Sequence, residues 1–208
     1  KKVGTVNVAA TTKGDNYSRV PLQSELTLTP GAAYVHMTSN NTIEGTEFKT
    51  LPDVGDVPLV NDTSSDMYSR PIDVAKHALI YSGAQKNMGP AGVTVVIVRE
   101  DMLARSQKAS PTMLNYAVHA ETGSMYNTPP VFAVYATGLV MKWLLAQGGL
   151  PASEKLNTRN ADQPYAEIDL TGLYRSTAHR GSRPPQNGPV PHPPGNRRKP
   201  LDKAHTPT

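Results

Sequence analysis

The sequence predicts an α/β fold, and three stretches predict it. Ala78 to Val98 passes from an apolar segment through a glycine-punctuated turn into an unbroken run, Val93 to Val98, which reads as strand, tight loop, strand. Val57 to Asp62 is a second apolar run, carried by Val57, Leu59 and Val60 and ending in a carboxylate. Val131 to Gln147 is apolar on nearly every side, with Lys142 its only charge, and such a run is a buried helix, here set between domains or subunits. Thr128 reads as its N-cap, proline follows at the first helical position, and Gly148-Gly149 is the stop.

The other elements follow in order. Val3 to Ala9 is a short β-like run before a polar loop that reaches Pro21. Leu22 to Leu28 is weakly helical and stops at Thr29-Pro30-Gly31. Ala33 to Met37 reads as a strand entering the loop Thr38 to Thr42, and Glu47 to Asp56 is rich in turn residues. Pro71 restricts Arg70 to extended geometry, Ile72 to His77 is a short helical turn, and Arg99 to Ala104 opens a polar helix with a solvated face. Pro151 to Asp169 is helical, with Pro164 interrupting the pattern.

Composition bounds the function. Of 21 basic and 17 acidic residues, 6 and 1 lie between Ser176 and Thr208, together with 8 of the 19 prolines. The remainder carries 15 basic and 16 acidic residues, so the basic balance belongs to the tail. That tail has Arg197-Arg198-Lys199 but no aromatic side chain to stack on a base, which argues for solvent rather than nucleic acid. The absence of cysteine excludes disulfides, thiolate metal sites and cysteine nucleophiles. No uninterrupted apolar span reaches membrane length, and His36, His77 and His119 stand apart from other metal ligands. A soluble, cytoplasmic protein without metal, membrane or nucleic-acid partner is expected, and the start at Lys1 reads as a piece of a longer chain.

Two residues carry the chemistry. Lys86 sits on the small-residue loop Gly83 to Asn87, either as an ordinary lysine reaching water or as a nucleophile, since partial desolvation favours the neutral amine that attacks carbonyls. Asp62 ends the preceding strand, either as a turn former or as the carboxylate partner of a protonated ring nitrogen, and Thr63-Ser64-Ser65-Asp66 follows it. Several ordered blocks resemble one family. They are Tyr34-Val35-His36 with Asn41-Thr42-Ile43-Glu44-Gly45, Ser69 to Val74, Gly83 to Asn87, Gly89 to Asp101, and Tyr126-Asn127-Thr128-Pro129-Pro130. Over about residues 1 to 175 the chain resembles phosphoserine aminotransferases.

The resemblance implies a fold-type I pyridoxal phosphate enzyme. Residues 1–150 would be part of the large cofactor-binding domain, 151–175 the start of the small domain, and 176–208 a Pro-rich basic tail, disordered or read out of frame. The implied reaction transfers the amino group of glutamate to 3-phosphohydroxypyruvate, giving phosphoserine and 2-oxoglutarate in serine biosynthesis, with pyridoxine biosynthesis a second setting. By resemblance Lys86 is the catalytic lysine that carries pyridoxal 5'-phosphate and moves the substrate proton, and Asp62 keeps the ring nitrogen protonated. Thr42 would position the ring, and Gln85, Asn127 and Thr128 would bind its phosphate, the last two in the neighbouring subunit of a homodimer with a shared site. The family's glycine-rich phosphate turn and substrate arginines have no counterpart in these residues. Another fold-type I enzyme is disfavoured by the Gly83 to Asn87 block and, for a desulfurase, by the lack of cysteine. A non-catalytic remnant that dimerises or binds cofactor weakly is the remaining alternative.

Overall fold

A computed structural model describes residues 4–106, 110–171 and 176–185. Its strands are β1 (Val35–Thr38), β2 (Asn40–Asn41), β3 (Thr46–Glu47), β4 (Leu59–Asp62), β5 (Leu79–Gly83) and β6 (Thr94–Val98). Its helices are α1 (Glu100–Leu103), α2 (Tyr116–Glu121), α3 (Val131–Ala146) and α4 (Gly149–Thr171), with short 3-10 turns between. The strands form a sheet in the order β1-β4-β5-β6, and β2 pairs with β3 in a separate hairpin. β1, β4 and β5 run parallel, with Thr38 opposite Asp62 and Asp62 opposite Tyr81. β6 returns antiparallel to β5, pairing Gly83 with Thr94 and Leu79 with Val98. The strand, loop, strand reading of Ala78 to Val98 is therefore what forms.

Two apolar clusters fix the sheet. Met37, Val54 and Leu59 pack with Leu28, Val35, Phe48 and Leu51 beneath the β1 and β4 end. Met67, Ala84 and Met88 pack with Tyr68, Val93 and Val95 beneath the loop that carries Lys86. β4 alternates, with Leu59 and Asn61 buried and Val60 and Asp62 half-buried. Asn61 is held on the buried face by His77. The His77 Nδ1–H donates to the Asp73 carbonyl at 2.9 Å, so Nε2 is left to accept from Asn61 Nδ2 at 3.2 Å. Burial lowers the His77 pKa, which agrees with that neutral ring.

Several expectations are corrected. Residues 4–9 form no strand: a strand needs a neighbour's hydrogen bonds, and among the described residues this stretch and Ala10 show one backbone bond, from Thr27 N to the Ala9 carbonyl at 2.8 Å. The helical stretch at Leu22 to Leu28 shrinks to a 3-10 turn, Gln23–Glu25, and the one at Ile72 to His77 to Val74–Lys76. Thr128 is not the N-cap of α3. A residue before proline is driven to extended geometry, and Pro129-Pro130 delays the helix, so Pro130 occupies the cap without a side-chain bond. Pro164 does not end α4, which runs from Gly149 to Thr171 with the proline inside. Asn160, whose carbonyl loses its helical partner there, is exposed and open to water.

The long apolar helix is little covered within this chain. Of α3 only Ala133 and Thr137 are buried, while Phe132 is 76% and Leu145 74% exposed. Nothing among the described residues covers that side. Its inner side is met closely by glycines of the loop before β6: a Cβ on Gly89 would lie 2.6 Å from Thr137 Oγ1, and one on Gly92 3.5 Å from Pro130. No single described helix is long and apolar enough to cross a membrane, and α3 and α4 meet at a bend of 86°.

The segment 176–185, expected to be disordered, is packed. Thr177 Oγ1 donates to the Glu44 carbonyl at 3.0 Å, His179 N donates to the Ser18 carbonyl at 2.8 Å, and Val20 N donates to Ser182 Oγ at 3.3 Å. Arg183 grips Asp169 through two bonds of 2.9 Å and lies 4.8 Å above the Tyr165 ring. The remainder of the expected tail, 186–208, lies outside the described residues.

Candidate active site

Because β1, β4 and β5 are parallel, their carboxyl ends share one edge of the sheet, where α/β folds bind ligands. The chain leaves β1 towards Thr42, β4 at Asp62 and β5 towards Gln85 and Lys86, so three of the predicted elements deliver their site residues to one place. Lys86 occupies a tight turn in which Met88 N and Gly89 N both donate to the Ala84 carbonyl, at 3.2 and 2.8 Å. Buried Ala84 and Met88 anchor this turn from below, and Asn87 Nδ2 donates to the Met67 carbonyl at 2.7 Å. The Gln85 side chain folds over Gly83: a Cβ there would lie 2.6 Å from Gln85 Oε1, so a larger residue would displace the Gln85 amide.

The Lys86 amine is held by hydroxyls. Its Nζ donates to Thr42 Oγ1 at 2.6 Å and to Ser65 Oγ at 2.9 Å, and the Thr42 and Ser65 hydroxyls bond one another. Lys86 itself is exposed, so the desolvating pocket expected around it is not supplied by the described residues. Its position is set instead by oxygen atoms.

Asp62 begins the turn that carries Ser65. Its Oδ1 accepts from Ser64 N at 2.9 Å, Ser64 Oγ accepts from Gly83 N at 3.0 Å, and Thr63 N donates to the Tyr81 carbonyl at 2.9 Å. The carboxylate faces Tyr81, whose hydroxyl also meets His36 Nε2 at 2.9 Å. Burial raises the Tyr81 pKa, and the negative charge of Asp62 raises it further.

The far end of the turn is electrostatically loaded. Asp66 is buried, accepts from Ser39 Oγ at 2.5 Å and stands 3.9 Å from Arg70 Nη2. Arg70 is nearer to the fully buried Glu47, at 3.1 Å, and Lys49 adds a second positive charge there at 3.7 Å. Two carboxylates thus share one close guanidinium. Burial, with the repulsion of Glu47, pushes Asp66 up to about 6 against the opposing pull of Ser39 and Arg70. At the next residue but one, Tyr68 takes φ +66°, and Ser153 Oγ of α4 donates to its carbonyl at 3.1 Å.

The predicted residues are thus brought together in part. Thr42, Asp62, Gln85 and Lys86 share the sheet edge. Asn127 and Thr128 do not join them: both are exposed, Asn127 Nδ2 donates to the Thr128 carbonyl at 3.3 Å, and among the described residues neither bonds to Lys86, Thr42, Asp62 or Gln85. Ser65 was not singled out from the sequence, although the hydroxyl cluster after Asp62 was its signal. A cavity of about 550 Å³ lies elsewhere, between α4 and the Glu47 to Lys49 segment, and none of the predicted site residues lines it. Among the described residues no group of three or more His, Cys, Asp or Glu is placed to hold a metal ion.

Comparisons with known proteins give the family. The profile described as Aminotransferase class-V matches residues 1–187. Phosphoserine aminotransferase of Pseudomonas fluorescens is 53% identical over 188 residues, 90% of this chain and 52% of that protein. The phosphoserine aminotransferase of Herpetosiphon aurantiacus is 49% identical over 188 residues, with the same coverage of 90% and 52%. The chain spans about half the length of the curated relatives it matches. Among solved structures, phosphoserine aminotransferase from Bacillus circulans subsp. alkalophilus superposes with a TM-score of 0.89 at 46% identity, covering 92% of this chain and 53% of that one. A pyridoxal-phosphate-bound phosphoserine aminotransferase from Trichomonas vaginalis gives 0.86 at 38% identity, covering 95% and 55%. The family match reaches residue 187, past the limit near 175 expected from the sequence. With its mixed, mostly parallel sheet and a match over most of its length, the chain belongs to the class-V aminotransferase family.

Proposed function

We propose that this chain carries the lysine-bearing part of a phosphoserine aminotransferase, which uses pyridoxal 5'-phosphate to move an amino group from glutamate to 3-phosphohydroxypyruvate. The observation that carries the reading is the meeting of Lys86, Thr42 and the Asp62 turn at the carboxyl edge of the sheet. The donor set fits the cofactor. An amine steered by two hydroxyls suits its carbonyl carbon, and a carboxylate on the adjoining strand end suits a protonated ring nitrogen. Bound pyridoxal phosphate supplies an electron sink for the charge left when the substrate α-carbon loses its proton.

The chain's own groups do the rest. Lys86 Nζ takes the α-proton and returns it, acting as base and then acid. Asp62 holds a proton on the ring nitrogen through its charge, and its orientation is fixed by Ser64 N. Thr42 positions the ring, and Gln85 lies at the mouth of the loop for the phosphate. Asn127 and Thr128 serve the phosphate site of a neighbouring subunit. The exposed apolar side of α3 supports that homodimer, because a helix so apolar needs cover. In this reading residues 1–150 belong to the large domain, the small domain starts at 151, and the enzyme works in the cytoplasm in serine biosynthesis, with pyridoxine biosynthesis a second setting.

Turnover is the test. A full-length enzyme carrying this chain, with pyridoxal phosphate, glutamate and 3-phosphohydroxypyruvate, is expected to form phosphoserine, and its Lys86→Ala variant to form none. Amino transfer to other oxo acids without phosphoserine would overturn the substrate assignment.

A further inference from the structure

We infer that Ser153 and Asn157 of α4 are positioning residues of the Lys86 site: they hold Tyr68 in the left-handed backbone geometry that aims the Met67 carbonyl at Asn87, beside the lysine. The inference rests on the role proposed above for Lys86.

Three successive carbonyls are each taken by a side chain from elsewhere in the chain. Asn87 Nδ2 donates to the Met67 carbonyl at 2.7 Å, Ser153 Oγ to that of Tyr68 at 3.1 Å, and Asn157 Nδ2 to that of Ser69 at 3.1 Å. A carbonyl only accepts, so each of these bonds has one direction. Asn157 Nδ2 also donates to Ser153 Oγ at 3.4 Å, which leaves the single hydroxyl hydrogen of Ser153 for Tyr68. The two residues stand four apart on α4 and so face the same segment.

Tyr68 has φ +66°, a geometry that a residue with a side chain keeps only where its surroundings hold it. Two peptide planes flank its Cα, one ending in the Met67 carbonyl and the other in its own. Asn87 grips the first and Ser153 the second, so together they fix the chain's direction at Tyr68. Relaxation to negative φ would swing the Met67 carbonyl away from Asn87.

That carbonyl matters to the lysine. The Lys86 turn is tied to the Asp62 segment on both sides of Lys86, by Gly83 N to Ser64 Oγ at 3.0 Å and by Asn87 Nδ2 to Met67. Buried Ala84 and Met88 hold the floor of the turn, and the Asn87 bond holds its exposed far side. The first tie follows from the end of β5, whereas the second depends on Tyr68 and through it on α4. Without the second tie the spacing between the Lys86 amine and Asp62 loosens.

The test uses a full-length enzyme carrying this chain. Ser153→Ala with Asn157→Ala removes both donors and keeps α4 helical, since alanine is a strong helix former. In the cofactor-free enzyme, deuterium exchange of the peptide carrying the Met88 and Gly89 amides, measured against that of β6, is expected to quicken about fivefold, the factor of one net hydrogen bond. In the loaded enzyme kcat is expected to fall about tenfold, with the KM for glutamate held within about twofold. Ser153→Thr, which keeps the hydroxyl, is expected to match wild type, and in an Asn87→Ala background the α4 pair is expected to add little. If the pair does not fold, Ser153→Ala alone reads the same quantities. Loop exchange or kcat unchanged in the folded variant overturns the inference, as does a full effect that persists without Asn87. A separate wild-type sample treated with pyridoxal phosphate and borohydride tests the underlying reading. No label on Lys86 overturns that reading whatever the exchange shows, whereas label on Lys86 with unchanged exchange overturns the role of α4 alone.

Discussion

Replacing Asp66 by asparagine removes a charge that the fold holds out of water at the end of the Asp62 turn. Burial and the neighbouring Glu47 charge push this carboxyl from its ordinary 3.8 up to about 6. A carboxyl that holds its proton more tightly when folded favours the folded state below its unfolded pKa, and that contribution is lost as the pH rises from 3.8 to about 6. Two units at 1.36 kcal/mol each set a ceiling of about 3 kcal/mol on the destabilisation by the ionised form at neutral pH. Asparagine keeps an Oδ1 acceptor for Ser39 Oγ, at 2.5 Å in the native chain, and does not ionise. What it gives up is attraction to Arg70, which stands 3.9 Å away and is nearer to Glu47. Asp66→Asn is therefore expected to stabilise the chain near pH 7.5 by up to about 3 kcal/mol and to make little difference near pH 4. Urea midpoints of both chains across that range measure it. A variant less stable than wild type near pH 7.5 would refute the reasoning, because the Arg70 pair would then outweigh desolvation.

Three further outcomes follow from the packing. Arg70→Met leaves the fully buried Glu47 carboxylate with Lys49 at 3.7 Å and Asn40 Nδ2 at 3.4 Å, and is expected to cost about 3–5 kcal/mol in a denaturant titration; a cost below about 1 kcal/mol would contradict the buried pair. Met88→Ala removes a side chain that is 1% exposed beneath the Lys86 turn, and is expected to cost about 2–5 kcal/mol. Gly89→Ala puts a methyl 2.6 Å from Thr137 Oγ1 and 3.3 Å from Thr137 Cα, for about 1–3 kcal/mol of overpacking. Much of the Gly89→Ala cost is expected to vanish in a Thr137→Ala background, and a cost unchanged there would place the strain elsewhere.

The elements that were legible in the sequence are those whose signal is local. A β-branched run, a carboxylate at a strand end and a glycine-flanked lysine located β4, β5, β6 and the turn between them, and parallel pairing then brought Asp62, Thr42 and Lys86 to one edge. The misreadings needed information from outside the stretch concerned. The β-like run Val3 to Ala9 reads as a strand, but pairing partners decide the matter, and residues 4–9 have almost none among the described residues. Thr128 has the chemistry of an N-cap, but two prolines in succession moved the helix start beyond its reach. Ser65 was visible only as one hydroxyl among several. What distinguishes it is the register that sets Asp62 opposite Tyr81, and with it the reach of the turn to Lys86.

The central claim is that Lys86 is the residue to which pyridoxal phosphate attaches. It is tested most directly by adding the cofactor to the purified chain, recording the visible band, reducing with borohydride and locating the modified lysine by peptide mass. Label confined to Lys86 is the expected result, since its amine is the one steered by Thr42 and Ser65 beside Asp62. Label scattered over other lysines, or none, would contradict the account.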